Sequence, residues 1–69
     1  MNVRYFKKVT EFIKSCENFN QFQSSKKVVQ LYYDYLYKNN LYVKNIPLVL
    51  IIEGLLEEKN NMLYNFYQI

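Results

Sequence analysis

Few side chains in this 69-residue chain belong to types that catalyse reactions. Cys16 is the only cysteine, and the chain has no histidine, the residue that most often serves as a general base. A thiol becomes nucleophilic when a base or a cation lowers its pKa, whereas Cys16 falls on the apolar side of a helical pattern. We therefore expect Cys16 to be a small buried hydrophobe.

Three glutamates, Glu53, Glu57 and Glu58, are the remaining candidates for acid–base chemistry. That chemistry requires a desolvated carboxylate aimed into a cleft, and these residues occupy the polar side of a helical pattern. Gly54 is the only glycine, so the chain lacks a phosphate-binding loop, and one cysteine without histidine argues against a zinc site. The sequence predicts a protein that is not an enzyme, with no cofactor, no metal and no small-molecule substrate.

Four of the eight tyrosines fall within six residues, at Tyr32, Tyr33, Tyr35 and Tyr37. Consecutive residues point in different directions around a helix, so one core cannot bury all four. Tyr32 and Tyr35 share the apolar side and are expected in the core, Tyr33 lies at its edge, and Tyr37 lies among polar residues. Exposed tyrosines are typical of contact surfaces, so Tyr33 and Tyr37 are predicted to bind protein.

Length and composition explain why a partner is expected. A domain of this size buries only about 60% of the surface that its unfolded chain exposes, and a single cysteine rules out an internal disulfide. Residues 1–46 hold eight of the nine basic residues, whereas residues 47–69 hold three of the six acidic ones, and the net charge is +3. We expect oligomerisation or a larger partner to complete the fold.

The apolar spacing predicts an all-α protein, a small three-helix bundle that forms one domain over residues 1–69. The predicted helices cover about residues 2–17, 25–38 and 47–67. In the first helix, apolar residues recur with a period of 3.6 residues and predict one apolar side. This side comprises Val3, Phe6, Val9, Ile13 and Cys16.

The second helix is predicted to start after a connection at residues 18–23, with Ser24 or Ser25 as its N-cap. Its main apolar side is predicted to comprise Val28, Leu31, Tyr32, Tyr35 and Leu36. Asn39 and Asn40 form a plausible stop, because asparagine tolerates the left-handed conformation.

An extended connector is expected next, at residues 41–46, packing through Leu41 and Val43. Pro47 suits the first turn of the third helix, whose apolar period continues past Gly54 and Asn60. The alternative is a buried strand at residues 48–52, which lacks a second strand to pair with.

We expect the second helix and the end of the third to form the protein interface and to join two copies in a homodimer. The predicted interface residues on the third helix are Leu63, Tyr64, Phe66 and Tyr67. The alternative for this segment is that it docks on the chain's own core. The expected role is an adaptor, inhibitor or modulator of a larger protein complex.

A basic nucleic-acid-binding regulator is the alternative function. Its candidate residues lie on the first helix and at the start of the second: Arg4, Lys7, Lys8, Lys14, Lys26 and Lys27. Against it, the third helix is acidic, and Arg4 is the only arginine, the commonest reader of bases.

The sequence contains no recognisable targeting signal, and this predicts where the protein is located in the cell. No apolar run follows the basic residues near the N-terminus, and the longest apolar run, at residues 48–52, is too short to span a bilayer. We expect a cytoplasmic protein without a membrane partner. Its Asn-, Lys- and Ile-rich composition is typical of AT-rich genomes, so a phage or mobile element, acting in the host cytoplasm, is a possible source.

Overall fold

The structure is a computed structural model that describes the backbone of residues 3–67 and the side chains of residues 4–65. Three α-helices are present, α1 at Val3–Ser15, α2 at Phe19–Lys38 and α3 at Ile46–Tyr67, with a 3₁₀ turn at Val43–Asn45 before α3. They pack against one another as an all-α three-helix bundle with extents of 44 × 18 × 16 Å. No strand occurs among the described residues, and α3 is unbroken, so the helical prediction for residues 48–52 is confirmed.

The core is a seam of side chains that recur at alternating intervals of three and four residues. This interval places one stripe of each helix against its neighbours, as in coiled-coil packing. The buried members on α2 are Phe22, Ser25, Val29, Tyr32 and Leu36. Those on α1 are Val9, Ile13 and Cys16. Those on α3 or in the turn before it are Asn45, Val49, Ile52 and Leu63. The apolar side predicted for the first helix is therefore confirmed for Val9, Ile13 and Cys16, and Phe6 also packs on the core. The side chain of Val3 lies outside the described residues.

The predicted start of the second helix is wrong, because α2 begins six residues earlier. Asn18 is its N-cap, and its Oδ1 accepts a 2.9 Å hydrogen bond from the backbone N–H of Gln21. The Gln21 side chain in turn accepts a 2.7 Å bond from the N–H of Glu17. These reciprocal bonds satisfy free backbone donors, so the polar segment starts a helix and is not a connection.

The predicted apolar side of the second helix is confirmed for Tyr32 and Leu36, which are buried, and for Val28, which packs on the core, but it is wrong for Leu31 and Tyr35. Leu31 is 61% exposed and Tyr35 lies at the surface, whereas Phe22 and Ser25 are buried. Ser25 does not cap the helix: its hydroxyl donates a 2.7 Å bond to the carbonyl oxygen of Phe22, which allows a polar residue to enter the seam. The buried stripe of α2 therefore runs through Val29 rather than through Leu31.

The predicted stop at Asn39 and Asn40 is confirmed. Asn40 has a φ of 57°, in the left-handed region. The N–H of Leu41 bonds to the carbonyl oxygen of Leu36 at 2.7 Å and that of Asn40 to Tyr37 at 3.1 Å. This pair of bonds is the Schellman pattern, which satisfies the last carbonyls of the helix.

The connector is a 3₁₀ turn and not an extended segment. Val43, predicted to pack, is 77% exposed, while Leu41 and Tyr42 pack on the core. Asn45 is 3% exposed, and its Nδ2 donates a 2.7 Å bond to the carbonyl oxygen of Leu41. The seam of α3 thus begins before the helix itself.

Lys59 fastens the C-terminus of α1 to α3. Its Nζ donates hydrogen bonds to the carbonyl oxygens of Lys14, at 2.9 Å, and Cys16, at 3.1 Å. A cation at this end of a helix also interacts favourably with the helix dipole. Cys16 is buried beside it, as expected, and its thiol donates to the carbonyl oxygen of Phe12 at 3.2 Å.

Candidate interaction surfaces

Six tyrosines form a continuous series of ring contacts around one end of the bundle. We call this series the tyrosine cluster; in order of contact it comprises Tyr35, Tyr5, Tyr32, Tyr33, Tyr42 and Tyr37. On the α1 side, Tyr5 stacks on Tyr32 with a centroid distance of 5.0 Å and on Tyr35 at 6.0 Å. Tyr32 is buried, and this burial raises the pKa of its hydroxyl.

On the α3 side, the cluster ends in a stacked pair that faces solvent. The rings of Tyr37 and Tyr42 lie 4.2 Å apart with an interplanar angle of 10°. Tyr37 is nevertheless 61% exposed, so one partner supports it while much of its surface is free. The Tyr37 hydroxyl, as a hydrogen-bond partner, is the main cause of a raised pKa at Tyr42.

Tyr33 links the cluster to α3. Its ring meets Tyr42 edge-on at 6.2 Å, and its hydroxyl donates a 2.9 Å bond to Oε1 of Glu53. Burial is the first cause of the raised pKa of Tyr33, and the bond to Glu53 is the second. Tyr33 is thereby held in one orientation and in turn positions Tyr42.

Exposed aliphatic side chains adjoin the stacked pair. Val43 borders a shallow groove of about 200 Å³ with Tyr37, Asn40 and Tyr42. Ile46 and Leu50 follow Val43 at intervals of three and four residues, which places them on the same side, and both are exposed. We call this set the α2/α3 surface: Tyr37, Tyr42, Val43, Ile46 and Leu50.

The residues predicted for a protein interface do not form one site. Tyr33 and Tyr37 lie together in the tyrosine cluster. Leu63 is buried against Cys16 and Phe22 at the opposite end of the rod, where Tyr64 is exposed. The side chains of two further predicted residues, Phe66 and Tyr67, lie outside the described residues.

The six predicted cationic residues are all exposed, but they are divided between different sides of the bundle. Arg4 and Lys8 line a groove between α1 and α2, whereas Lys14 lines one between α1 and α3. On α2, Lys26 lies over the ring of Phe22, with Nζ 5.0 Å from its centroid. The two others, Lys7 and Lys27, are exposed on α1 and α2.

The groove between α1 and α2 is the larger of these two. It encloses about 320 Å³ and is lined by Arg4, Tyr5, Lys8, Val9, Phe12 and Val28. We call it the α1/α2 groove. Its floor is apolar, its α1 wall is cationic, and no carboxylate lines it.

Comparisons with known proteins add nothing to this geometry. No family model, curated protein or solved structure matches the chain. Across the described residues, no three Cys, Asp or Glu side chains come together in a way that could hold a metal ion. None of the described helices is both long and apolar enough to cross a bilayer.

Sequence reasoning missed two members of the tyrosine cluster, Tyr5 and Tyr42. Tyr5 does not belong to the apolar side predicted for the first helix, and Tyr42 falls in the expected extended connector at residues 41–46. The alternating interval of the seam, followed backwards from Ile52 through Val49 to Asn45, could have indicated that helical geometry starts before Pro47.

Proposed function

We propose that this chain is a non-enzymatic protein-interaction module, an adaptor, inhibitor or modulator of a larger complex, that binds its partner through the α2/α3 surface. The observation that supports this most is the stacked pair of Tyr37 and Tyr42, in which the half-buried ring of Tyr42 holds the ring of Tyr37 in place while Tyr37 stays open to solvent. Tyrosine offers a large contact area with few rotatable bonds, so an aromatic pair that is already ordered loses little entropy on binding.

The surroundings of this pair have the composition of an interface centre. Val43, Ile46 and Leu50 are exposed aliphatic side chains that extend the aromatic surface. Polar groups come from Asn40, which lines the same groove, and from Glu53, which binds the hydroxyl of Tyr33. Aromatic anchors among aliphatic contacts, with a polar rim, are typical of binding hot spots. Of this set, Tyr42 packs on the core, whereas Tyr37, Val43, Ile46 and Leu50 are exposed.

The test compares two tyrosines of similar exposure at opposite ends of the rod. Tyr37→Ala should abolish capture of a specific protein from nuclease-treated host lysate, whereas Tyr64→Ala, in which a 55% exposed ring is removed, should leave capture unchanged. Circular dichroism should show both variants folded. Loss of capture with Tyr64→Ala alone would assign the binding site to the other end of the bundle. The proposal would be contradicted if the wild-type chain captured no protein at all.

We also propose that the chain forms a homodimer. The support is the number of large apolar side chains exposed along α3, namely Leu50, Ile51, Met62 and Tyr64, beside a core that is small for independent stability. Sedimentation equilibrium at micromolar concentration should give twice the chain mass of 8.5 kDa. A folded species with the mass of one chain would contradict the homodimer.

The second candidate function is nucleic-acid binding. It is favoured by the position of Arg4 and Lys8 beside the rings of Tyr5 and Phe12, since cations and aromatic side chains bind single strands together. It ranks second because the six cations are spread over several sides of the bundle. Salt-sensitive binding of a labelled oligonucleotide, lost on changing Lys7, Lys8 and Lys14 to alanine, would favour it.

A further inference from the structure

We propose that the α1/α2 groove is a second docking site and that its occupant is an acidic amphipathic helix of a partner protein. This site lies on a different side of α2 from the α2/α3 surface and does not depend on that proposal. The inference rests on the shape of the groove, the chemistry of its floor and the sign of its charge.

The floor of the groove is suited to apolar anchors. Val9 and Val28 form its base, and the rings of Tyr5 and Phe12 border it. On α2, the exposed residues Leu31 and Tyr35 continue the apolar strip, Tyr35 through its contact with Tyr5. A cleft between two helices, with apolar side chains at helical intervals, is the geometry that accepts the apolar side of a third helix.

The charge of the groove selects an acidic occupant. Arg4 and Lys8 are four residues apart on α1, about 6 Å along its axis, and both line the groove. On α2, Lys27 and Asp34 stand one turn before and one turn after Leu31, so their charges offset each other and the positive charge of the groove comes from Arg4 and Lys8. A partner helix with carboxylates one turn apart would match the spacing of Arg4 and Lys8.

The same features favour a helix over a nucleic-acid strand. The ring of Tyr5 already stacks on Tyr32 and Tyr35, so of the two aromatic rings in the groove, Phe12 is the more available to a base. Two lining cations would neutralise few phosphates, whereas single-strand binders follow several nucleotides with a continuous basic groove.

The experiment is a selection of random 16-residue peptides displayed on phage against the full chain, followed by anisotropy titrations of the enriched peptides. We expect enriched peptides to combine apolar residues at intervals of three and four with several Asp or Glu. Changing both Arg4 and Lys8 to alanine should weaken binding about tenfold and reduce its salt dependence. The matched control changes Lys7 and Lys14 to alanine, which removes the same charge from positions of α1 that do not line the groove and should have little effect.

Amide chemical shifts locate the bound peptide independently of affinity. Residues of the groove, above all Val9, Phe12 and Val28, should shift on titration, and those around Val43 should not. Three results would overturn the proposal: enriched peptides that are not acidic, equal weakening by both double variants, or shifts confined to the α2/α3 surface. Displacement of the peptide by a single-stranded oligonucleotide that binds more tightly would assign the groove to nucleic acid instead.

Discussion

The hydroxyl of Tyr33 on α2 donates a 2.9 Å hydrogen bond to Oε1 of Glu53 on α3. The bond joins two helices whose other contacts at this end are apolar or aromatic, and an ionised acceptor makes it stronger than a neutral pair. It also fixes the ring against which Tyr42 packs. A link at the edge of the core thus orders the exposed surface beyond it.

Tyr33→Phe should therefore lower the free energy of unfolding by about 0.5–1 kcal/mol, because it removes the bond while keeping the ring. Urea unfolding followed by circular dichroism measures the change. Glu53→Met, which has no oxygen to accept the bond, provides the second arm of a double-mutant cycle, in which the two effects should be less than additive. Strict additivity would show that the bond contributes nothing to stability.

Alkaline pH should destabilise the fold through the same residue. Burial, with the bond to Glu53, raises the pKa of Tyr33, whereas an unfolded tyrosine ionises near pH 10. The folded state then retains a proton that the unfolded state loses, so stability should be constant below about pH 10 and fall above it. The free energy of unfolding, measured on both sides of pH 10, should fall less steeply for Tyr33→Phe than for the wild-type chain. An equal fall in both proteins would exclude Tyr33 as the source of the pH dependence.

Gly54→Ala should stabilise the chain. Gly54 lies within α3, and a Cβ built there has no atom within 4 Å, so alanine fits without strain. The gain in helix propensity is about 1 kcal/mol, which for a chain of this length raises Tm by about 4–8 °C. Gly54→Ser should give a smaller gain, and a lower Tm for the alanine variant would be inconsistent with the open surroundings of this residue.

Lys59→Met should destabilise the bundle by about 1–2 kcal/mol. The methionine retains the length of the side chain but cannot bond to the carbonyl oxygens of Lys14 and Cys16. Lys27→Met, an equivalent change at an exposed position of α2, is the control and should change stability by less than about 0.5 kcal/mol. If thermal unfolding showed the same loss of stability for both variants, the hydrogen bonds of Lys59 would contribute nothing specific to the fold.

Much of the fold follows from spacing alone. The first helix and the third were predicted within one or two residues of their ends, because each has a long apolar period and, for the third, Pro47 at its start. The start of α2 is predicted too late because the polar residues at 18–23 are typical of a connection. The three-residue spacing of Asn18 and Gln21 is instead that of a capping pair. The exposure of Leu31 and Tyr35 is a separate difference, because only the contacts of α1 and α3 decide which part of the broad apolar side of α2 is covered.

The candidate surfaces were less predictable, because they depend on contacts between helices. Periodicity indicated that Tyr37 faces outward, and the structure adds that it is supported by Tyr42 from the following connection. The cations of α1 share one helical side in sequence, yet α2 and α3 divide it, with Arg4 and Lys8 in one groove and Lys14 in another. Such a division requires knowledge of where the neighbours lie.

The buried thiol of Cys16 gives this chain an internal reporter of its own opening. It is 3% exposed and lies against Phe22 and Leu63, so a thiol reagent can reach it only when this end of the bundle separates. The rate of labelling in the native protein therefore measures how often the contacts of Cys16 with Phe22 on α2 and Leu63 on α3 open. The tyrosine cluster reports on the other end, so the two signals together resolve whether the rod opens as a whole or from one end.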